Sequence, residues 1–293
     1  MKSGKIWLAA LVAVFALIVA ACASNEGDTT GPTEATAASG GTGGTGETAA
    51  IPEFSTITDG VLTVGSCLDY PPFESVKNGV ETGFDVDMTT EIASRLGLTV
   101  EWVRADFDTI FTAVAANQFD MVAAASTITA EREDVVDFSD PYYNSLQSLT
   151  VNTVQTPDIT STDQLGQGDV VAAQKGTTGK DWAVENLEPQ GVQVKTFQSA
   201  TDMFRDLEAG NVVGVINDKP ASVGIIADLP DLAVVQDIDT KEHYGFAFSP
   251  SNPELRDGVN VVLAQMIADG TYQEIFNKYF PPDSIPEEFK PTA

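Results

Sequence analysis

The amino-acid sequence predicts an α/β protein of two lobes, each a mostly parallel sheet flanked by helices, joined by a two-strand hinge. Three observations carry this. Strand-like and helix-like segments alternate with short connections from Val61 to the helix after Thr129, the pattern of a parallel sheet covered by helices. A second alternating run starts at Val170 and reaches a helix after Pro220. Between and after these runs, Leu146 to Val154, Val234 to Ile238 and Tyr244 to Phe248 read as extended crossings of a double hinge.

Val61 to Gly65 is the first strand, and the loop Cys67 to Phe73 follows it, because Pro71-Pro72 suits neither a helix nor a central strand. Gly83-Phe84-Asp85 opens a helix to Arg95 that stops at Gly97, with Val86, Ile92, Ala93 and Leu96 for its apolar face. Leu98 to Val103 is the second strand. Asp106 caps a helix carrying Ile110, Phe111, Val114 and Ala115, and the apolar run Met121 to Ala125 is a third, buried strand.

In the second run, Val170 to Ala173, Val192 to Phe197 and Val212 to Ile216 are strands, and Asp181 to Leu187 and Thr201 to Ala209 are helices. Two helices close the chain. One has Asn252 as N-cap and Pro253 at its first position; the other starts at Thr271, which with Glu274 makes a capping box. The expected lobes are residues 56–145 with 241–293, and 146–240.

Composition narrows the partners. The 293 residues carry 15 basic and 43 acidic side chains, a net charge of −28, which repels nucleic acid and anionic lipid. Lys2 and Lys5, an apolar stretch from Ile6 to Ala21 and then Cys22 describe an export signal over residues 1–21 rather than a membrane span of about 20 residues. Ile18-Val19-Ala20-Ala21-Cys22 resembles a bacterial lipobox, so Cys22 is the expected lipidation site and the membrane is reached through that lipid. Residues 22–55, rich in Gly, Thr, Ala and Ser, form the expected flexible linker. With Cys22 lipidated, Cys67 has no intrachain partner.

Chemistry concentrates in Asp120 to Tyr143. A strand ends at Ser126-Thr127 and a helix starts after Thr129, placing backbone N–H groups, a hydroxyl and the Arg132 guanidinium together, the parts of a carboxylate receptor. An ion pair of Arg132 with its acidic neighbours is the other reading of these residues alone.

Three stretches resemble the bacterial extracellular solute-binding proteins, family 3, which deliver polar amino acids to ABC importers. They are Gly83 to Ala93 (GFDVDMTTEIA), Phe107 to Tyr143 and Ala268 to Phe280 (ADGTYQEIFNKYF), within a resemblance running from about Ile57 to Phe280. It implies a periplasmic-binding-protein-like clamshell that closes on a free amino acid and presents it to the transmembrane subunits of an ABC permease. A monomer is expected, anchored outside the cytoplasm through the Cys22 lipid, and no cofactor or metal is expected because no metal constellation or phosphate-binding glycine loop stands out. By the resemblance, Arg132, Thr127, Thr177 and Thr178 receive the ligand carboxylate, and Asp218, the Ala125 carbonyl and Thr127 receive its amine. Tyr70, Phe107, Cys67, Gln174 and Gly179 line the side-chain pocket.

The family commonly has Asp where Cys67 stands when the ligand side chain is basic or an amide. A thiol there removes that anion, so an uncharged, polar side chain is expected. Two alternatives stand on the same scaffold: a cyclohexadienyl dehydratase-like enzyme, which needs a cleft carboxyl of raised pKa, and a ligand-sensing module. His243 is expected at the surface or hinge, and Gly176-Thr177-Thr178-Gly179 lacks the spacing of a phosphate-binding loop.

Overall fold

Val61–Ser66 (β1) is buried on both faces, with Leu62 and Val64 fully buried, and its Thr63 hydroxyl donates to the buried Asp120 carboxylate at 2.5 Å. The structure, a computed structural model, describes residues 50–291; the expected export signal, Cys22 and nearly all of the expected linker lie outside them. No helix among the described residues is long and apolar enough to cross a membrane.

After β1, Asp69–Tyr70 (β2), Glu74–Lys77 (β3) and Val80–Thr82 (β4) form a small antiparallel sheet. Phe84–Arg95 (α1), Thr99–Arg104 (β5), Phe107–Ala115 (α2), Met121–Val122 (β6), Ala130–Glu133 (α3) and Asp137–Phe138 (β7) follow. Tyr143–Asn152 (β8) leads to Val170–Gln174 (β9), Thr178–Asn186 (α4), Gln193–Phe197 (β10), Ala200–Glu208 (α5), Gly214–Asp218 (β11) and Lys219–Ile225 (α6). Leu232–Tyr244 (β12), Ala247–Phe248 (β13), Pro253–Asp269 (α7) and Thr271–Tyr279 (α8) complete the regular elements used below.

These strands make two five-stranded sheets, in orders β5-β1-β6-β13-β7 and β10-β9-β11-β8-β12. In the first, β5, β1 and β6 are parallel and β13 is antiparallel to β6 and β7. In the second, β10, β9 and β11 are parallel, while β8 is antiparallel to β11 and β12. Each sheet is thus parallel where helices cross over and antiparallel where the extended crossings return. Against the first sheet, α1, α7 and α8 bury an aromatic cluster in which Phe84 meets Tyr272, Phe276 and Phe280 edge to face, with centroids 5.8, 5.9 and 5.3 Å away.

Four local expectations change. The apolar run 121–125 pairs as a strand only over Met121–Val122, because Ala125 has φ 45° and its N–H donates to the buried Asp85 carboxylate at 2.8 Å instead of to a ladder. The extended stretches 234–238 and 244 belong to one strand, β12, with register shifts between Val234 and Gln236 and between Ile238 and Glu242. No capping box forms at Thr271: Gly270 is the N-cap, at φ 87°, and the Thr271 hydroxyl instead accepts from Arg95 Nη2 at 2.8 Å. Asn252 and Asp106 stand at N-caps without side-chain cap bonds, whereas the Thr129 hydroxyl does accept from the Arg132 N–H at 3.2 Å.

Candidate functional site

Residues at the carboxyl ends of β1, β6, β9 and β11 enclose a cavity of about 250 Å3. Open α/β sheets bind ligands at such ends. From the first sheet's side come Cys67, Tyr70, Glu74, Phe107 and Ala125; from the second come Gln174, Thr177 and Asp218. Seven of the eleven residues implied by the resemblance therefore meet at one cavity.

Asp218 ends β11 and stands at the N-cap of α6, yet its carboxylate makes no cap bond. It turns inward, accepting from Tyr70 Oη at 3.0 Å and from Tyr244 Oη and Gln147 Nε2. Burial, then the charge of Glu242, raises its pKa from 3.8 to about 7, against the lowering effect of those three donors. The Tyr70 hydroxyl also reaches Asn217 Oδ1 at 2.9 Å, so one phenol joins the loop after β1 to the end of β11.

Behind the cavity, Asp85 is fully buried between the Ala125 N–H at 2.8 Å and the Tyr142 hydroxyl, 2.9 and 3.0 Å from its two oxygens. This carboxylate holds the Ala125 turn, and burial raises its pKa to about 6.

The other expected residues lie off the inner cavity. Arg132 lines an adjoining, larger space of about 1040 Å3 with Gly176 and Thr178. Its guanidinium donates to the carbonyls of Thr127 at 2.5 Å and Gly176 at 3.1 Å, and it stacks on Phe107 and Phe111, 5.1 and 4.6 Å from the ring centroids. No carboxylate pairs with it among the described residues, so the sequence-level alternative of a surface ion pair with its neighbours is not what forms. The Thr127 and Thr178 hydroxyls both donate to Glu242 Oε2, at 2.7 and 3.2 Å. Thr177 lines the cavity, but its hydroxyl is the N-cap of α4, accepting from the Lys180 N–H at 3.1 Å and donating to the Gln174 carbonyl at 2.7 Å.

Gly179 is set back from the ligand space. A Cβ there would lie 2.5 Å from Gln147 Oε1, so the glycine makes room for that side chain.

Sequence reasoning passed over four groups. Gln147 is fully buried on β8 and bridges Asp218 to Glu242, 3.0 Å from Glu242 Oε1. Glu242, 6% exposed on β12, also accepts from Thr240 at 2.9 Å. Tyr244 donates to Asp218. Glu74 is the most unusual: it is 1% exposed, lines the cavity, and neither carboxylate oxygen has a hydrogen-bond partner. Burial, then the charges of Asp85, Asp69 and Asp218, push its pKa well above the carboxylate range. Nothing in a chain with 43 acidic residues marks these particular ones as buried.

The two-sheet architecture, with a polar cavity at the strand ends, agrees with a profile match over residues 62–282 to the bacterial extracellular solute-binding proteins, family 3. The chain belongs to that family. A curated relative, the L-cystine-binding protein TcyJ of Escherichia coli (strain K12), is 30% identical over 226 residues, covering 76% of this chain and 84% of the relative. Among solved structures, an ancestral arginine-binding protein bound to arginine superposes with a TM-score of 0.72 at 35% identity, covering 75% of this chain and 98% of that one. The ancestral amino acid-binding protein AncCDT-1, described as a precursor of cyclohexadienyl dehydratase, superposes at 0.71 with 37% identity, covering 75% and 96%. These family 3 relatives are binding proteins for amino acids, and the dehydratase connection is that of a precursor.

Proposed function

We propose that the chain captures a free amino acid between its two lobes, residues 56–145 with 241–293 and 146–240, and delivers it to an ABC permease while tethered outside the cytoplasm through Cys22. The observation that carries the ligand class is Glu74, a buried carboxyl without a partner, in a cavity whose lining has a second carboxyl, Asp218, and no cation. The α-ammonium goes to Asp218 and the α-carboxylate to Arg132, which no carboxylate of the described residues neutralises. The far end of the side chain meets Glu74 and carries a cation. The sequence-level expectation of an uncharged side chain rested on Cys67; Glu74 supplies the anion that the thiol lacks, so a cationic side chain replaces it in this proposal.

Binding then works by charge and closure together. An unpaired carboxyl in a desolvated cavity is held neutral; an arriving ammonium or guanidinium turns it into an ionised partner. The ligand touches groups from both sheets only when they are close, so it shifts the population toward the closed form that a permease can recognise. No covalent step is needed.

A thermal-shift screen of the amino acids tests this. Lysine, ornithine or arginine should raise the melting temperature, with about 2.7 kcal/mol of added stability at 100 times Kd. Arg132→Ala should remove the shift. A response to neutral amino acids alone would defeat the assignment of Glu74 while leaving transport standing.

A further inference from the structure

Thr240-Lys241-Glu242-His243-Tyr244 closes the long strand β12. Lys241 has φ 53°, and the pairing with β8 shifts between Ile238 and Glu242. After the shift the strand alternates again, with Glu242 and Tyr244 buried and Lys241 and His243 exposed. A carboxylate on an extended crossing is thereby carried into the protein, where burial is costly unless donors meet it.

Four donors do. Glu242 Oε1 accepts from Gln147 Nε2 at 3.0 Å and from the Thr240 hydroxyl at 2.9 Å, while Oε2 accepts from the hydroxyls of Thr127 at 2.7 Å and Thr178 at 3.2 Å. Thr127 follows β6 of the first sheet, and Thr178 opens the helix after β9 of the second. One carboxylate oxygen therefore ties a hydroxyl from each side together. Arg132 reaches the same place, because its guanidinium donates to the Thr127 carbonyl at 2.5 Å. The charges of Asp218 and Glu242 act on that guanidinium, opposing the lowering of its pKa by burial. A hydrogen-bonded chain thus runs from Arg132 through Thr127, Glu242 and Gln147 to Asp218. Glu242 stands at its middle, and the cavity at Asp218 shares no lining residue with the space at Arg132.

An amino acid with its ammonium at Asp218 and its carboxylate at Arg132 must span that chain. Its carboxylate needs hydroxyl donors beside the guanidinium, and Thr127 and Thr178 give theirs to Glu242. Two carboxylates at the same donors repel each other strongly where water is excluded. We infer that Glu242 is an internal competitor of the ligand: it holds the Thr127 and Thr178 hydroxyls until an α-carboxylate on Arg132 takes them, and so limits affinity. Gln147 and Thr240 still satisfy the other oxygen of Glu242 after the exchange, which keeps the exchange reversible. This rests on the amino-acid reading given above and adds to it the residue that opposes binding.

Isothermal titration of the full chain and of Glu242→Gln with L-arginine and with L-argininamide, which lacks the α-carboxylate charge, tests the inference. Glutamine keeps the shape and removes the charge. Arginine should then bind about tenfold more tightly, the worth of one charge-assisted hydrogen bond, while argininamide gains less than about twofold or weakens. A residue that only supports the fold would act in the opposite direction and weaken both ligands. A gain for arginine below about threefold, or an equal gain for both ligands, overturns the inference and leaves the amino-acid reading intact. If the amide binds neither protein, the change for arginine decides alone. Should the thermal screen single out another amino acid, it and its α-amide form the pair. Melting without ligand reports whether the variant folds; if it does not, Glu242→Asp, one methylene shorter and drawn back from Thr127 and Thr178, is held to the same comparison. Failure of every amino acid to bind either protein overturns the amino-acid reading as well.

Discussion

Asp218→Asn separates the electrostatics of the site from its packing. In the ligand-free protein the Asp218 carboxyl is buried, and that burial, with the charge of Glu242, raises its pKa from 3.8 to about 7. A folded-state pKa above the unfolded one means that the folded state holds the proton more tightly. Stability from this group is fully present below about pH 3.8 and is lost as pH rises through about 7. A displacement of about three units, at 1.36 kcal/mol each, amounts to about 4 kcal/mol. Asparagine does not titrate, so it escapes this loss. It has one acceptor oxygen for the three donors Tyr70, Tyr244 and Gln147, a defect of about 1–3 kcal/mol at every pH. The two effects have opposite signs at high pH, so the stability curves of wild type and variant should cross. The variant should be the less stable near pH 4 and the more stable, by about 1–3 kcal/mol, near pH 8. Urea denaturation of both ligand-free proteins at a series of pH values measures this directly. Parallel pH profiles would show that Asp218 is not the proton-holding group and would refute the reasoning.

Further outcomes follow from other residues of the same structure. Glu74→Leu removes a buried carboxyl without partners and should stabilise the ligand-free protein by about 1–3 kcal/mol while weakening binding of lysine or arginine, measured by denaturation and by titration. Gly83→Ala would set a Cβ 2.0 Å from the Phe73 carbonyl at φ 143°; the backbone must shift, and a loss of about 3 kcal/mol or more should appear in denaturation. Gly179→Ala would press on Gln147 Oε1 from 2.5 Å. Because Gln147 bridges Asp218 and Glu242, this variant should lose ligand affinity more than it loses stability, which titration and denaturation together resolve.

Much of the fold was legible because its signals are local. The alternation of apolar runs with capped, amphipathic segments placed β1, α1, β5 and α2 within a residue or two. The helix starts after Thr129 as expected, and Thr129 caps it because its hydroxyl needs only the nearby Arg132 N–H. The misread ends share one cause: a competing long-range partner. Ala125 leaves the strand because Asp85, 40 residues earlier, takes its N–H. Thr271 gives up a capping box because Arg95, 176 residues earlier, takes its hydroxyl.

The candidate site divides along the same line. The fold class, the strand-to-helix turn that presents Arg132 and the residue types that a zwitterion requires are all legible along the chain. Which acids lose their water is set by the packing of distant elements. Glu74, Asp218 and Glu242 look like dozens of solvated neighbours until β3, β11 and β12 converge, and burial then makes each an expensive, partner-seeking group. Ionisation and reach depend on desolvation and distance in three dimensions, and neither is written in the spacing of residues along a chain.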